Sequence, residues 1–324
     1  MSKVLRGHQS QRKRTRLLVA LPLLAVLFAS APLEAREYPL PPEDVDLIGC
    51  LREALVEEGD TLLDVARRHN IGQEEILLAN PRIDRWLPDI ATTVLIPSRY
   101  ILPRAARRGI VINVPEMRLY YYPPDYLGRH TMVVTHPISV GRMDWTTPLG
   151  ETRIIAKVKD PSWRPPESIR REAAEQGELL PKVVPPGPDN PLGRYALRLA
   201  VPGYLIHSTN KPYGVGMRVT HGCVRMYPED IEPLFQEIPL DTPVQIVDQP
   251  IKLGWLADTL YIEVHPPLEE AEVDDEALLR LALDQLQIEH NLRPLQLKGG
   301  ALRKALREKN GIPTPIGEAL SVGE

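Results

Sequence analysis

Two residues in the stretch from Tyr204 to Pro228, YLIHSTNKPYGVGMRVTHGCVRMYP, have the types and spacing for nucleophilic chemistry. Cys223 ends a Thr220-His221-Gly222-Cys223 turn, and His207 closes an apolar run upstream, with twelve residues between it and Thr220. A thiol attacks carbonyl carbon only as thiolate, and a neighbouring imidazole that takes the proton is the commonest way to reach that ion near neutral pH. The chemistry this allows is attack on an amide: a tetrahedral oxyanion forms and collapses to a thioester, and the acyl group passes to an amine or to water. Backbone N–H groups at Gly222 and Cys223 are the natural oxyanion donors, because glycine lets the chain bend closely around a carbonyl. His207 would take the thiol proton and return it to the leaving amine, with a group such as the Ser208 carbonyl fixing its tautomer.

The second cysteine, Cys50, lies in DLIGCLREAL, ahead of the first folded unit. A bridge between the two would silence the nucleophile, so both are read as free thiols despite the usual pairing in exported proteins. Export is expected because Lys3, Arg6, Arg12, Lys13, Arg14 and Arg16 precede an apolar run from Leu17 to Ala29, followed by the small residues Ser30, Ala31 and Ala35. This reads as a signal peptide over residues 1–35, cleaved after Ala35, with retention as an uncleaved anchor as the alternative. The apolar run is short for a membrane span, and Cys50 is too far downstream to carry a lipid. Residues 1–35 hold six basic residues and one acidic residue, so their removal takes the formal charge from −4 to −9. An acidic exported chain argues against a nucleic-acid partner.

The elements that must position the pair follow from the punctuation of the chain. Thirty-four prolines against two phenylalanines in 324 residues point to short strands broken by turns, not to a helical bundle. Residues 36–51 read as an extended, proline-rich lead-in. Residues 52–98 alternate strand, turn, two short helices and a closing strand over Thr93 to Ile96, with a capping box predicted at Thr61 and Asp64 and a second helix over Gln73 to Ala79 stopped by Asn80-Pro81. This βααβ order is similar to a LysM module, whose GDT turn and ANP stop are matched by Gly59-Asp60-Thr61 and Ala79-Asn80-Pro81. That resemblance implies binding to N-acetylglucosamine-containing glycans, although Leu63 stands where typical members carry an aromatic residue.

Residues 109–249 then alternate in strand fashion through GIVINV, RLYYYP, HTMVVTHPISVG, ETRIIAKV, RYALRLA, GYLIHS and PVQIV, predicting a β-sandwich or barrel-like unit. An excursion over Pro161 to Asp189, with Trp163 and a helix predicted over Pro166 to Gln176, is a candidate lid. Residues 250–324 are read as a partly helical extension, with one helix around Leu278, Leu279, Leu281 and Leu283 and a second ended by Gly311. The expected fold is therefore multi-domain: a mainly β catalytic unit, a small βααβ domain before it and a short helical tail after it.

His207, twelve residues, then Thr220-His221-Gly222-Cys223-Val224-Arg225 resembles the signature of L,D-transpeptidases of the YkuD family, in the ErfK/YbiS branch of Gram-negative periplasmic enzymes. EYPLP, GIVINVPEMRLYYYPP, TPLG at Thr147 to Gly150, DNPLG at Asp189 to Gly193 and GMRVTHGCVRMYPEDIEPLF extend the likeness over nearly the whole mature chain. The resemblance implies Cys223 as nucleophile and His207 as proton acceptor and donor, with Gly222, His221, Ser208 and Thr220 supporting the turn and the oxyanion. Ser208 and Arg225 stand where many members have Gly and Asn. The implied substrate is the meso-diaminopimelate–D-alanine bond of peptidoglycan stem peptides, and the acceptor amine comes from diaminopimelate or from the lysine of an outer-membrane Braun-type lipoprotein. Arg225, Arg218, Asn210 and Tyr213 are candidate contacts to the stem, guanidinium pairing naturally with carboxylate. No cofactor is implied, and His130, His136, His207 and His221 lack zinc-type spacing. A hydrolase with the same Cys-His pair and a non-catalytic wall-binding protein are the competing readings.

Overall fold

The computed structural model describes residues 36–320, and the signal-peptide reading of residues 1–35 lies outside them. The lead-in is extended: β1 (Arg36–Pro39) and β2 (Leu47–Gly49) bracket a proline turn. Next come β3 (Arg52–Leu55), α1 (Leu62–Arg68), α2 (Gln73–Ala79) and β4 (Thr93–Ile96), with β3 antiparallel to β4. Helix α1 begins at a reciprocal cap in which Asp64 N–H donates to Thr61 Oγ1 and Thr61 N–H donates to the Asp64 carboxylate. Helix α2 ends because Asn80 turns its side chain onto Ile76 O and onto both backbone groups of Leu95, and Pro81 forbids continuation. Val56, Leu62, Val65, Ile71, Ile76, Val94 and Ile96 close a core belonging to this segment. Strand β5 (Arg99–Ile101) then pairs with β2.

A larger sheet follows, built from β6 (Gly109–Asn113), β7 (Arg118–Tyr122), β8 (Met132–Gly141), β9 (Gly150–Lys159), β10 (Tyr195–Leu199), β11 (Leu205–His207), β12 (Arg218–Thr220), β13 (Val224–Met226) and β14 (Pro243–Val247). Helix α3 (Glu167–Glu175) interrupts it after β9, and α4 (Pro228–Glu237) before β14. The order β8-β13-β11-β10-β9-β14-β6-β7 returns to β8, because the ten-residue β8 pairs with β7 through residues 134–137 and with β13 through residues 138–139. The sheet is thus barrel-like, and closure leaves it with few free edges. Alternation along β6 sends Ile110 and Ile112 into the barrel core with Leu119, Ile154, Leu197 and Ile246, capped by Ile231 and Leu234 of α4. Val111 points the other way, into a second layer with Tyr120, Tyr122, Ile48 and Tyr100. Burial on both faces is why this stretch is apolar without a break.

The C-terminal region differs from the expected helical tail. It contains a four-stranded sheet, β15 (Ile251–Leu256), β16 (Thr259–Val264), β17 (Leu295–Leu297) and β18 (Thr314–Ala319), in the order β15-β16-β18-β17. Helices α5 (Asp275–Leu292) and α6 (Gly299–Glu308) cover it. Of the four leucines read into the first helix, Leu278 is buried in this core and Leu281 packs partly buried against it, with Ala282 and Leu286 completing the stripe. Four buried titratable side chains tie the sheet to the barrel: Lys252 Nζ lies 2.8 Å from Glu116 and 2.7 Å from Glu263, and His265 Nε2 lies 2.7 Å from Glu263.

Candidate active site

Strands β11 and β13 run parallel, with Ile206 opposite Val224 and His207 opposite Arg225. Successive side chains of a strand point to opposite faces. Ile206, Val224 and Met226 therefore enter the barrel core, while Leu205, His207, Cys223 and Arg225 share the outer face and line one cleft of about 700 Å³. The other wall is the excursion between β9 and β10, through Trp163, Arg164, Pro166 and Ile169. Asn190 pins the base of that excursion, donating from Nδ2 to Pro161 O at 2.8 Å and accepting from Leu192 N–H at 2.9 Å.

Gly222 makes the turn before Cys223 at φ +95°, and a Cβ there would lie 2.7 Å from the Tyr204 ring and 3.1 Å from Thr146 O. Only glycine fits. Thr147 Oγ1 donates to Gly222 O at 3.1 Å, and Thr220 Oγ1 donates to Cys223 O at 2.6 Å, so two hydroxyls hold the turn's carbonyls. Cys50 and Cys223 are both free thiols. The Cys223 thiol donates to Gly203 O at 3.7 Å.

His207 is buried, and the Ser208 carbonyl accepts its Nδ1–H at 2.6 Å. A carbonyl only accepts, so the neutral ring carries its proton on Nδ1 and presents Nε2 as a base. Burial, reinforced by the positive charge of Arg225, pulls the His207 pKa down to about 4 against hydrogen bonds to Ser208 and Leu192 that favour the charged ring. Burial also pushes the Cys223 thiol above its ordinary value, opposed by the Leu205 backbone N–H and by Arg225. The resting pair is thus thiol and neutral imidazole. Arg225, itself lowered by burial, has a buried Nε without a hydrogen-bond partner and no ion pair among the described residues.

Residues 107–246 match the family model of the YkuD L,D-transpeptidase catalytic domain. The probable L,D-transpeptidase YcfS of Escherichia coli K12 is 40% identical over 308 residues, 93% of this chain and 95% of that protein. The probable L,D-transpeptidase ErfK/SrfK of the same strain is 39% identical over 300 residues, 90% and 94% of the two chains. This protein belongs to the L,D-transpeptidase family. Among solved structures, the catalytic domain of Enterococcus faecium L,D-transpeptidase is similar at 17% identity with a TM-score of 0.34, over 45% of this chain and 100% of that one.

Of the four residues expected to touch the stem, only Arg225 lines the cleft of this L,D-transpeptidase. Arg218 lies on β12, which pairs with the end of β8, and its guanidinium is taken by Gly141 O at 3.2 Å and Glu270 at 2.8 Å. It faces a separate cavity of about 310 Å³ beside Glu74, Arg142 and Glu269. Asn210 and Tyr213 are exposed on the connecting loop, outside the cleft wall. His221 does line the cleft, and its Nε2 meets Glu172 of α3 at 3.0 Å while its ring packs edge-on against Trp145 at 5.1 Å. Glu172, Arg142 and Trp145 escape sequence reading, because nothing local marks one of the three acids of a polar helix as the partner of a distant turn. The His and carboxylate cluster of Glu116, Glu263 and His265 holds Lys252 Nζ as its cation, and His136 is buried beside Asp230, away from the cleft.

Proposed function

We propose that this L,D-transpeptidase works in the periplasm on peptidoglycan tetrapeptide stems, cutting the meso-diaminopimelate–D-alanine bond and passing the stem to an amine. The observation that carries this reading is the parallel β11–β13 register, which sets His207, Cys223 and an unpaired Arg225 along one cleft face. His207 Nε2 takes the thiol proton as Sγ attacks the diaminopimelate carbonyl, and turn N–H groups at Gly222 and Cys223 receive the oxyanion. Collapse breaks the C–N bond, the His207 proton goes to the departing D-alanine amine, and the stem remains as a thioester. An acceptor amine, from diaminopimelate or a Braun-type lipoprotein lysine, then loses its proton to His207 as it attacks, and Cys223 leaves. A cleft guanidinium without a partner among the described residues supports recognition of a stem carboxylate by Arg225. The βααβ segment serves as a glycan-binding module of LysM type, holding the enzyme on the wall.

Incubation of the protein with tetrapeptide muropeptides and an amine tests the reading. Free D-alanine and an amine-linked stem are expected from wild type, and neither from Cys223→Ala. Products arising only by water would sink the transferase claim, and unchanged turnover in Cys223→Ala would remove the nucleophile. Retention of Cys223→Ala on purified sacculi, with loss when residues 52–98 are blocked by soluble glycan fragments, is the expected sign of wall binding.

A further inference from the structure

Helix α3 belongs to the excursion that forms one wall of the cleft, and the Cys223 turn belongs to the other. The two walls meet through one carboxylate. Glu172 receives His221 Nε2 at 3.0 Å on Oε2 and the guanidinium of Arg142 on Oε1. Arg142 follows β8 directly, and its backbone N–H donates to Thr220 O at 3.1 Å, so it is itself fastened to the turn. The Trp145 ring packs edge-on against the His221 ring. Three segments distant in sequence thus converge on Glu172: the excursion, the end of β8 and the Thr-His-Gly-Cys turn. Arg142 first, and His221 second, hold the Glu172 carboxyl below its ordinary range, so it is ionised wherever the enzyme works.

We propose that Glu172 is a positioning residue of the transfer reaction: by holding His221 and Arg142 together it clamps the α3 wall against the Cys223 turn and sets the width of the donor site. The proposal rests on the reading of Cys223 and His207 as the reacting pair, and touches neither. Among the described residues, the excursion's other hydrogen bonds, those of α3 itself aside, lie at its base, by Asn190, and in the Trp163–Val184 bridge inside it, while Pro165 and Ala173 are buried. Removing the carboxylate leaves Trp163, Pro166 and Ile169 able to swing away from the nucleophile while the barrel beneath is unaltered. Donor binding suffers more than bond-making.

The test compares wild type, Glu172→Ala, Glu172→Gln and Glu175→Ala, an exposed acid on the same helix. Each is assayed for kcat and KM of D-alanine release from tetrapeptide muropeptides, for melting temperature and for amide hydrogen exchange over residues 167–175. Glu172→Ala should raise donor KM about tenfold or more, change kcat less than about threefold and speed α3 exchange. Melting should move little, since half-exposed pairs contribute little to global stability. Glu172→Gln keeps an oxygen for the His221 N–H and should recover most of the KM, whereas Glu175→Ala should match wild type. An unchanged KM and unchanged α3 exchange in Glu172→Ala would overturn the clamp, as would equal effects in Glu175→Ala. A wild-type protein that releases no D-alanine would defeat the functional reading instead, and α3 exchange would still decide the clamp.

Discussion

The protonation state of the resting Cys223–His207 pair is open to direct attack. With His207 pulled down to about 4 and the thiol pushed above its ordinary value, moving the proton from Sγ to the imidazole before substrate binds is uphill. Thiolate at pH 7 is then scarcer than the roughly 3% of a free cysteine. In a Cys50→Ser background, which removes the exposed thiol, the rate of Cys223 alkylation by iodoacetamide, followed by intact mass, should climb about tenfold per pH unit from 6 to 9, because only thiolate reacts. Arg225 lowers both pKa values through its charge, so Arg225→Met should raise both. Its sign is therefore slower alkylation at pH 8, by several-fold. A wild-type plateau reached by pH 7.5 would mean a preformed thiolate–imidazolium pair and would refute the reasoning, as would faster alkylation in Arg225→Met.

Other expectations follow from the same packing. His207 falls from an ordinary 6.5 to about 4 on folding, so the unfolded chain binds the extra proton in that window. The stability lost between pH 6.5 and 4 through this one group is roughly 3 kcal/mol, and calorimetry of His207→Gln should show a correspondingly shallower acid decline than wild type; an identical slope would argue against a buried neutral ring. Arg118 is buried, 2.6 Å from Glu75 of α2 and 4.2 Å above the Tyr100 ring. Arg118→Met should cost roughly 3–5 kcal/mol in urea unfolding by stranding Glu75, and a loss under about 1 kcal/mol would contradict that account. Gly216, at φ +85°, packs against the start of α2 so closely that a Cβ would lie 2.2 Å from Gln73 N. Gly216→Ala should therefore lower the melting temperature and slow Cys223 acylation by a carbapenem, both read on one sample by thermal melting and intact mass; wild-type values would show that α2 does not brace the loop leading to Cys223.

Much of the local structure was legible because its causes lie within a few residues. Thr61 and Asp64 cap α1 with groups three residues apart, Asn80-Pro81 stops α2 where it was expected, and the helix predicted over 166–176 forms over Glu167–Glu175. The C-terminal sheet was missed for an equally physical reason. IKLGWL and TLYIEV carry a strand alternation around Ala257-Asp258, but Lys252 and Glu263 put charges at positions that are buried here. Those charges are tolerated because they meet each other and Glu116, a partner more than a hundred residues away. Arg218 shows the same limit: its proximity in sequence to Cys223 says nothing of the Glu270 that pairs with it.

For the active site, the sequence by itself determined the reagents and their local backbone. A thiol, an imidazole, a glycine that alone tolerates φ +95° and a serine carbonyl one residue from His207 are all properties of short stretches. Which side chains share the cleft was decided only by tertiary structure. Parallel pairing of β11 with β13 requires a crossover, and its register, not the spacing of residues along the chain, turns Cys223 and Arg225 toward His207 and sends Val224 and Met226 into the core. The depressed imidazole, the partnerless Arg225 and the Glu172 contact to His221 arise from burial and from segments that meet only in the fold.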